Sequence, residues 1–189
     1  MPLLTKEYYA VVGLIIVLIV VLVYFIFAYN RFIRLENLVI EGWSGVDVQL
    51  KRRYDLIPNL VSIVKAYTTH ENQTLRQIVE ARTQAQMSGS QNKALKENAL
   101  VDGLKTLLAI AEDYPELKAD SQFLTLHHTL VDIEDTLQKA RRYYNATVRD
   151  YNSAVKMFPS NIIAKMMALK TKEYFEINPL ETNNIKIEL

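Results

Sequence analysis

The chain opens with an uncharged apolar run and continues with apolar residues at helical spacing. No charged residue lies between Tyr8 and Asn30, and a helix needs roughly 20 apolar residues to cross a bilayer. The centre of this run, residues 13–23, has no polar side chain on any face. It shows neither the alternation of a strand nor the one-sided stripe of a surface helix. The pattern predicts a transmembrane helix.

A cleaved signal peptide is the alternative to a retained anchor. The apolar run exceeds the roughly 7–15 residues of a signal-peptide core, and the bulky sequence at 27–30 contains no small-residue cleavage site. We therefore predict a retained, single-pass anchor. Lys and Arg are more frequent after the run, at Arg31, Arg34 and 51–53, than before it at Lys6. The positive-inside rule then places the soluble part in the cytoplasm.

Four helices are predicted after the anchor, and nothing between Asn30 and Glu41 interrupts the first of them. The predicted bounds of the first three are 35–69, 72–87 and 93–113, with a loop at 88–92. The fourth is predicted to start near Pro115 or Ala119 and to continue to Met157. Pro58 should kink the first helix. The first helix carries the stripe Val39, Trp43, Val46, Leu50, Tyr54, Ile57, Val61 and Val64. The fourth carries Phe123, Leu126, Leu130, Ile133, Leu137, Ala140, Tyr144, Val148, Tyr151, Val155 and Phe158. Two long helices with matching stripes and two shorter ones between them predict an all-α fold, an antiparallel four-helix bundle.

Two short segments follow Pro159. The amphipathic residues 161–171 are predicted to cover one end of the bundle core with Ile162, Ile163, Met166, Met167 and Leu169. Residues 185–189 alternate apolar and charged side chains, a pattern that suits either a short strand or a frayed end. The predicted organisation is therefore an anchor at 1–30, a helical bundle domain at 31–171 and a tail at 172–189.

Composition narrows the class of protein. Five glycines and five prolines among 189 residues are few for a fold with many tight turns, which favours an all-α domain. The formal net charge is +1, and residues 51–53 form the only basic cluster, so we expect no nucleic-acid partner. The chain has no cysteine, which excludes disulfides and a thiol nucleophile.

Several segments resemble one family. The longest is residues 42–61, GWSGVDVQLKRRYDLIPNLV. The others are 80–82 (EAR), 114–119 (YPELKA), 140–145 (ARRYYN), 151–152 (YN), 158–161 (FPSN) and 174–176 (YFE). Together they resemble the LemA family over nearly the whole chain, whereas the run from Ser88 to Glu97 departs from the family pattern. The resemblance implies an N-terminal anchor followed by an antiparallel helical bundle. It also implies an accessory or scaffold role beside membrane proteins such as membrane metallopeptidases.

Polar residues on the two long helices predict a buried network. On a helical wheel Gln49 and Arg53 fall inside the apolar arc of the first helix. A guanidinium that faces a core must be paired, because its desolvation otherwise costs several kcal/mol. One flank of the fourth helix carries Glu134, Arg141, Asn145 and Asn152. We predict that Arg53 pairs with Glu134 or with the amides of this flank and so fixes the register of the two helices. A ligand-binding cleft is the alternative use of the same residues.

The sequence predicts no catalytic, metal or cofactor site. The residues three positions before His70, His127 and His128 are not acidic, so the Glu-x-x-His pairs of di-iron bundles are absent. Gly-rich phosphate loops and the G-x-S-x-G elbow are also absent. The predicted function is a noncatalytic scaffold or accessory protein of the bacterial inner membrane, acting on another membrane protein or by self-association. The alternative is a membrane-tethered sensor that binds a small ligand in its bundle.

Overall fold

A computed structural model of the chain describes residues 2–68, 70–88 and 90–175. These residues form six helices: α1 (Pro2–Tyr67), α2 (Asn72–Met87), α3 (Ser90–Glu112), α4 (Pro115–Lys118), α5 (Ser121–Lys156) and α6 (Ser160–Met166). They contain no strand. The predicted all-α class is therefore confirmed. The strand suggested for residues 185–189 lies outside the described residues.

The long first helix and the second agree with the sequence prediction. The predicted anchor and the first soluble helix form one element, α1, which contains Pro58; the kink at Pro58 stays a prediction. α3 begins at Ser90, so the loop predicted for residues 88–92 is wrong in its second half. Residues such as Asn92 have only modest helix propensity, but the buried Lys93 and Glu97 that follow give the first turns of α3 tertiary contacts.

Of the two predicted starts of the fourth helix, Pro115 begins the short helix α4, whereas Ala119 lies two residues before the start of α5 at Ser121. Asp120 lies between the two helices, and its Oδ1 accepts the backbone N–H groups of Gln122 and Phe123, each at 2.8 Å. The Phe123 N–H, aided by the Tyr67 hydroxyl that donates to Oδ2 at 2.9 Å, holds the pKa of Asp120 below its usual value. A carboxylate in this position satisfies N–H groups that the first turn of a helix leaves unpaired. Asp120 therefore starts a new helix where the apolar pattern alone suggests continuity.

The chain forms two compact units. The first unit consists of Met1–Gly42 with Tyr144–Glu173, and the second consists of Trp43–Tyr143 with Tyr174–Leu189. We describe each unit by its own contacts.

In the second unit, each of the helices α1 to α5 contributes fully buried apolar side chains. The largest fully buried apolar side chains are Leu50, Ile57 and Leu60 of α1, Ile78 of α2, Leu100 and Leu107 of α3, Leu117 of α4 and Leu137 of α5. Gly103 allows α3 to approach α2 closely, because a Cβ added there would lie 3.3 Å from Cγ1 of Ile78. The predicted stripes of the long helices contribute to this set, and the antiparallel order of the four helices stays a prediction.

In the first unit, α6 packs against α1 and the end of α5. The buried cluster consists of Ala28 and Phe32 of α1, Ala154 of α5, and Ile163 and Ala164 of α6. α6 ends where Ala168 adopts a positive φ of 52°. The Leu169 N–H then donates to the Ala164 carbonyl at 2.9 Å, a closure typical of helix C-termini.

The extended segment after α6 is held along α5. The Asn152 side chain donates to the Lys172 carbonyl at 2.9 Å and accepts the Lys172 N–H at 2.8 Å. The Tyr144 hydroxyl donates to the Glu173 carbonyl at 2.9 Å. The Lys172 ammonium lies 2.8 Å from Glu36 of α1, and this hydrogen-bonded pair raises the pKa of Lys172. The segment thus joins α1 and α5 within the first unit.

Three residues predicted to be buried at the end of the bundle are exposed instead. Phe158 is 79% exposed, Met166 71% and Ile162 53%. α5 ends at Lys156, so Phe158 lies beyond the helix whose stripe it was expected to complete. α6 is apolar on two faces and packs only one of them, through Ile163 and Ala164, against α1.

The N-terminal part of α1 exposes its apolar side chains. It is long and apolar enough to cross a membrane, and only 6% of its most apolar window is buried. A core helix of a soluble protein has the same composition but is mostly buried. The large exposed residues of this part include Leu14, Ile15, Ile16, Val17, Leu18, Ile19, Val20, Val21, Leu22 and Phe27. α1 therefore contains a candidate membrane span.

The cap at Asp120 leads to a prediction about stability and pH. Asp120→Ala should lower the unfolding midpoint, because α5 loses its N-cap. Since the folded-state pKa lies below the ordinary 3.8, the stabilisation is present above pH 3.8 and is lost as the pH falls through the folded-state pKa.

Thermal unfolding of the full chain in detergent micelles, followed by circular dichroism at several acidic pH values, measures both effects. Asp113→Ala, at an exposed position before α4, is the control. Equal unfolding midpoints for the two variants would contradict the role of Asp120.

Candidate functional site

Four residues form a buried ionic cluster in the second unit: Arg53, Tyr54, Glu97 and Glu134. The Arg53 side chain is 0% exposed. Its Nη1 donates to Glu134 Oε1 at 2.8 Å, and its Nη2 forms an ion pair with Glu97. The Tyr54 hydroxyl donates to the other carboxylate oxygen of Glu97. Arg53 thus pairs with both carboxylates, and the neutral hydroxyl of Tyr54 donates to Glu97 as well.

Each helix supplies its part of the cluster through its stripe of buried positions. Arg53 and Tyr54 lie on α1 between the buried residues Leu50 and Ile57, one turn from each. Glu97 lies on α3, and Glu134 lies on α5 beside the buried Ile133. α2 joins through Arg82, whose Nε donates to the Tyr54 carbonyl at 3.1 Å. The cluster and the Arg82 hydrogen bond therefore connect α1, α2, α3 and α5.

The two carboxylates of the cluster differ in solvent exposure. Glu97 is fully buried, whereas 34% of the Glu134 side chain is exposed. A buried charge depends on its partner for neutralisation, while an exposed one is also stabilised by water. Arg53 is therefore most important for Glu97. Burial raises the pKa of Tyr54 to about 12, which keeps its hydroxyl protonated and able to donate at neutral pH.

Arg53 and Glu134, both predicted to belong to the network, are in direct contact. Gln49 is half-buried and accepts a hydrogen bond from Arg52 at 3.3 Å. Asn152 belongs to the first unit, where it binds the backbone of Lys172. The hydrogen bonds of Gln49 and Asn152 thus go to Arg52 and to the backbone of Lys172.

The remaining two predicted residues lie on α5 in different settings. The Arg141 guanidinium stands 4.6 Å from the ring centroid of Phe175, a distance at which a cation is attracted to an aromatic face. Asn145 is half-buried. Arg141 also lies close enough to Tyr54 of the cluster for its positive charge to oppose the rise in the pKa of Tyr54 that burial causes.

Glu97 is the residue of the cluster that the sequence prediction missed. It lies in the first part of α3, five residues after the predicted loop at 88–92. A signal was nevertheless present, because buried α3 residues recur at intervals of three and four: Lys93, Glu97, Leu100, Leu104, Leu107 and Ala111. Extending the stripe of α3 backwards from Leu100 places a carboxylate in the core.

A second group of contacts surrounds Trp43. The Lys93 ammonium lies 5.7 Å from the Trp43 ring centroid and 3.2 Å from Oδ1 of Asp47. The ring of Phe175 lies 6.1 Å from that of Trp43. Since Phe175 is buried and also contacts Arg141, this group ties the end of the described chain to α1 and α5 in the second unit.

The chemistry that these groups perform is charge pairing. Among residues 2–68, 70–88 and 90–175, no three His, Cys, Asp or Glu side chains are grouped to hold a metal ion. The rings of His127 and His128 are 6.0 Å apart, and His127 stacks on Phe123 at 6.2 Å. The contacts of the ionic cluster are ion pairs and a hydrogen bond between α1, α3 and α5.

The unequal burial of the two carboxylates predicts an order of stabilities. Arg53→Met leaves Glu97 buried without its cation, which should lower the free energy of unfolding by about 3–5 kcal/mol. The double variant Arg53→Met/Glu97→Leu should recover most of this loss, because apolar replacements of a buried pair are often neutral or stabilising. Glu134→Gln should cost about 1 kcal/mol or less, since Glu134 is partly hydrated.

Denaturant unfolding of the full chain in detergent micelles measures this order. Trp43, the single tryptophan, provides the fluorescence signal. Arg52→Met, at the exposed neighbouring position, is the matched control. Equal stability of Arg53→Met and Arg52→Met, or of Arg53→Met and the double variant, would contradict the assigned role of Arg53.

The sequence of this chain is similar to those of several known proteins. The LemA family model matches residues 42–189. The chain is 24% identical to the magnetosome protein MamQ of Magnetospirillum gryphiswaldense, with 80% of this chain and 65% of that protein covered. It is 23% identical to Protein LemA of Metamycoplasma hominis, with 80% of this chain and 70% of that protein covered. The chain thus spans about two thirds of the length of its MamQ relatives. Because the family match includes the α1 residues of the ionic cluster and most of the helical chain, the protein belongs to the LemA family.

Proposed function

We propose that this protein is a single-pass, noncatalytic scaffold or accessory protein of the bacterial inner membrane. The observation that carries the proposal is α1, which exposes apolar side chains from Val11 to Phe27 and supplies Arg53 and Tyr54 to the ionic cluster. One helix thus contains both a lipid-compatible surface and the contacts that join it to other helices. The helical part of the chain lies in the cytoplasm, as the excess of Lys and Arg after the apolar run supports.

The ionic cluster supports a structural role over a reaction. Its guanidinium and its fully buried carboxylate face each other, so neither is directed at a substrate. The MamQ relatives are named for a cell structure, the magnetosome, and not for a reaction. Both observations favour a protein that works through its surfaces.

The partner in this proposal is another membrane protein, such as a membrane metallopeptidase, or a second copy of the chain. The net charge of +1 and the interspersed acids and bases favour no polyanion. Tethering to the bilayer raises the effective concentration of the helical part near other membrane proteins. A weak surface contact is then sufficient for a regulatory role.

One observation favours the alternative, a sensor for a small ligand. α3 and α5 border a groove of about 280 Å³, lined mainly by Val101, Leu104, Leu108, Leu130, Val131 and Glu134. Glu134 therefore connects this groove to the ionic cluster. The groove lies slightly below the roughly 300–1,000 Å³ of typical ligand pockets, so we rank the sensor second.

Photo-cross-linking in native membranes tests the scaffold function. A photoreactive amino acid is placed at Val48, Val79 or Val131, which are exposed on α1, α2 and α5 of the second unit. We expect discrete adducts with one membrane protein, or with a second copy of the chain, from at least one of these positions. Mass spectrometry identifies the adduct, and two copies with different tags separate self-association from a different partner.

The control is the same amino acid at the fully buried Leu137 of α5. Because this position faces the core, it should give no intermolecular adduct. The Arg53→Met variant should also lose the surface adducts, since the surface depends on the packed helices. If all three surface positions give no more adduct than Leu137, the scaffold proposal is wrong.

Cysteine labelling tests the cytoplasmic location, and the absence of native cysteine simplifies it. Lys139→Cys, at an exposed position on α5, should react with a membrane-impermeant maleimide only after spheroplasts are lysed. Lys6→Cys, on the other side of the apolar run, should react in intact spheroplasts. The reverse pattern would place the helical part outside the cytoplasm and contradict the topology.

A further inference from the structure

The turn between α5 and α6 exposes large apolar side chains. We call this the turn surface; it consists of Met157, Phe158, Ile162 and Met166, all exposed. Four large apolar side chains within ten residues form a patch of the kind that marks a contact with a partner or a membrane.

The turn surface lies beside the end of the apolar run of α1. Ile163 and Ala164 of α6 pack with Ala28 and Phe32 of α1. Ser160, at the start of α6, shares a groove of about 170 Å³ with residues of α1 that include Tyr24 and Phe27. Tyr24 precedes the end of the uncharged run at Asn30 by six residues, about 9 Å along a helix. The start of α6 is thus level with residues that the anchor places at the boundary of the bilayer.

The charges around the turn surface match an anionic lipid surface. Lys156, Lys165 and Lys170 are exposed. No acidic residue occurs between Asp150 and Glu173. Exposed apolar side chains beside long cationic ones are typical of elements that lie in the interface, where the apolar atoms enter the acyl boundary and the ammonium groups reach phosphates.

We propose that the turn between α5 and α6 is a second membrane-contact element that inserts Phe158 and Ile162 into the headgroup boundary of an anionic bilayer. Its lysines bind the phosphates of the lipid headgroups. Lipid is the occupant because α6 packs beside the end of the apolar run of α1. In addition, the charged side chains between Asp150 and Glu173 are all lysines. The inference rests on the membrane anchoring in the proposed function, and it adds a contact that the anchor alone does not supply.

Depth measurements in proteoliposomes test this element with the full chain. Single-cysteine variants at Phe158 and Ile162 carry an environment-sensitive fluorophore. Val20→Cys, within the apolar run, serves as the lipid reference, and Lys139→Cys on α5 as the water reference. The vesicles contain phosphatidylcholine with or without phosphatidylglycerol. Quenching by spin-labelled lipid and by aqueous iodide is compared at each position.

We expect the labels at 158 and 162 to resemble the lipid reference. They should be quenched by spin-labelled lipid, should show a blue-shifted emission and should lose the iodide quenching that the label at 139 retains. Iodide quenching equal to that at 139 would overturn the proposal, and so would protection from both quenchers, because a protein then covers the surface. If the label at Val20 is also not quenched by lipid, the anchoring itself fails, which separates the two proposals.

A charge variant tests the role of the lysines. In wild type, adding phosphatidylglycerol should increase lipid quenching at position 158, because an anionic surface attracts nearby cations. Replacing Lys156, Lys165 and Lys170 by Gln should abolish this increase. Replacing Lys105, Lys118 and Lys139 of the second unit by Gln is the matched control and should leave the increase intact. An increase that persists without the three lysines of the turn would overturn the assigned lipid charge.

Discussion

A positive charge without access to water must be neutralised where it lies, and in this protein that charge is Arg53. Its guanidinium is surrounded by helices, and its hydrogen bonds run to Glu97 on α3 and Glu134 on α5. The alternative arrangements of these helices that keep the apolar core but separate the ions are disfavoured by several kcal/mol. Apolar stripes allow some sliding of one helix along another, whereas an ion pair does not. We therefore expect this cluster to fix the register of the helices in the second unit.

How far the sequence predicts this site depends on how clear each stripe is. Arg53 and Glu134 were recognisable because they lie on long helices whose apolar residues define a wheel over many turns. Glu97 lies near the start of α3, where polar residues such as Gln91 and Asn92 suggest a loop and hide the stripe. The break between α4 and α5 was hidden for the opposite reason, since apolar spacing continues through it. A cap such as Asp120 acts through backbone N–H groups, which the apolar pattern does not report.

Hydrophobic spacing also failed at the end of α5. It identifies residues that avoid water, but it does not distinguish a protein core from the interior of a bilayer. Phe158 and Met166 fit a stripe by spacing, yet both are exposed next to a helix that is itself exposed and apolar. In a chain with a candidate membrane span, part of the apparent core can instead be lipid-facing. The family comparison has no bearing on this point, because it matches sequence and not environment.

The side chain of Asn152 shows how narrow the requirements of a single buried contact can be. Its amide gives one hydrogen bond to the Lys172 carbonyl and takes one from the Lys172 N–H, as a neighbouring peptide group would in a sheet. An aspartate of the same shape has no donor for that carbonyl. A glutamine has both groups but holds them one carbon farther from the helix. Deamidation of Asn152 would therefore remove one of the two hydrogen bonds to Lys172 and leave the segment more dependent on Tyr144 and on the pair of Lys172 with Glu36.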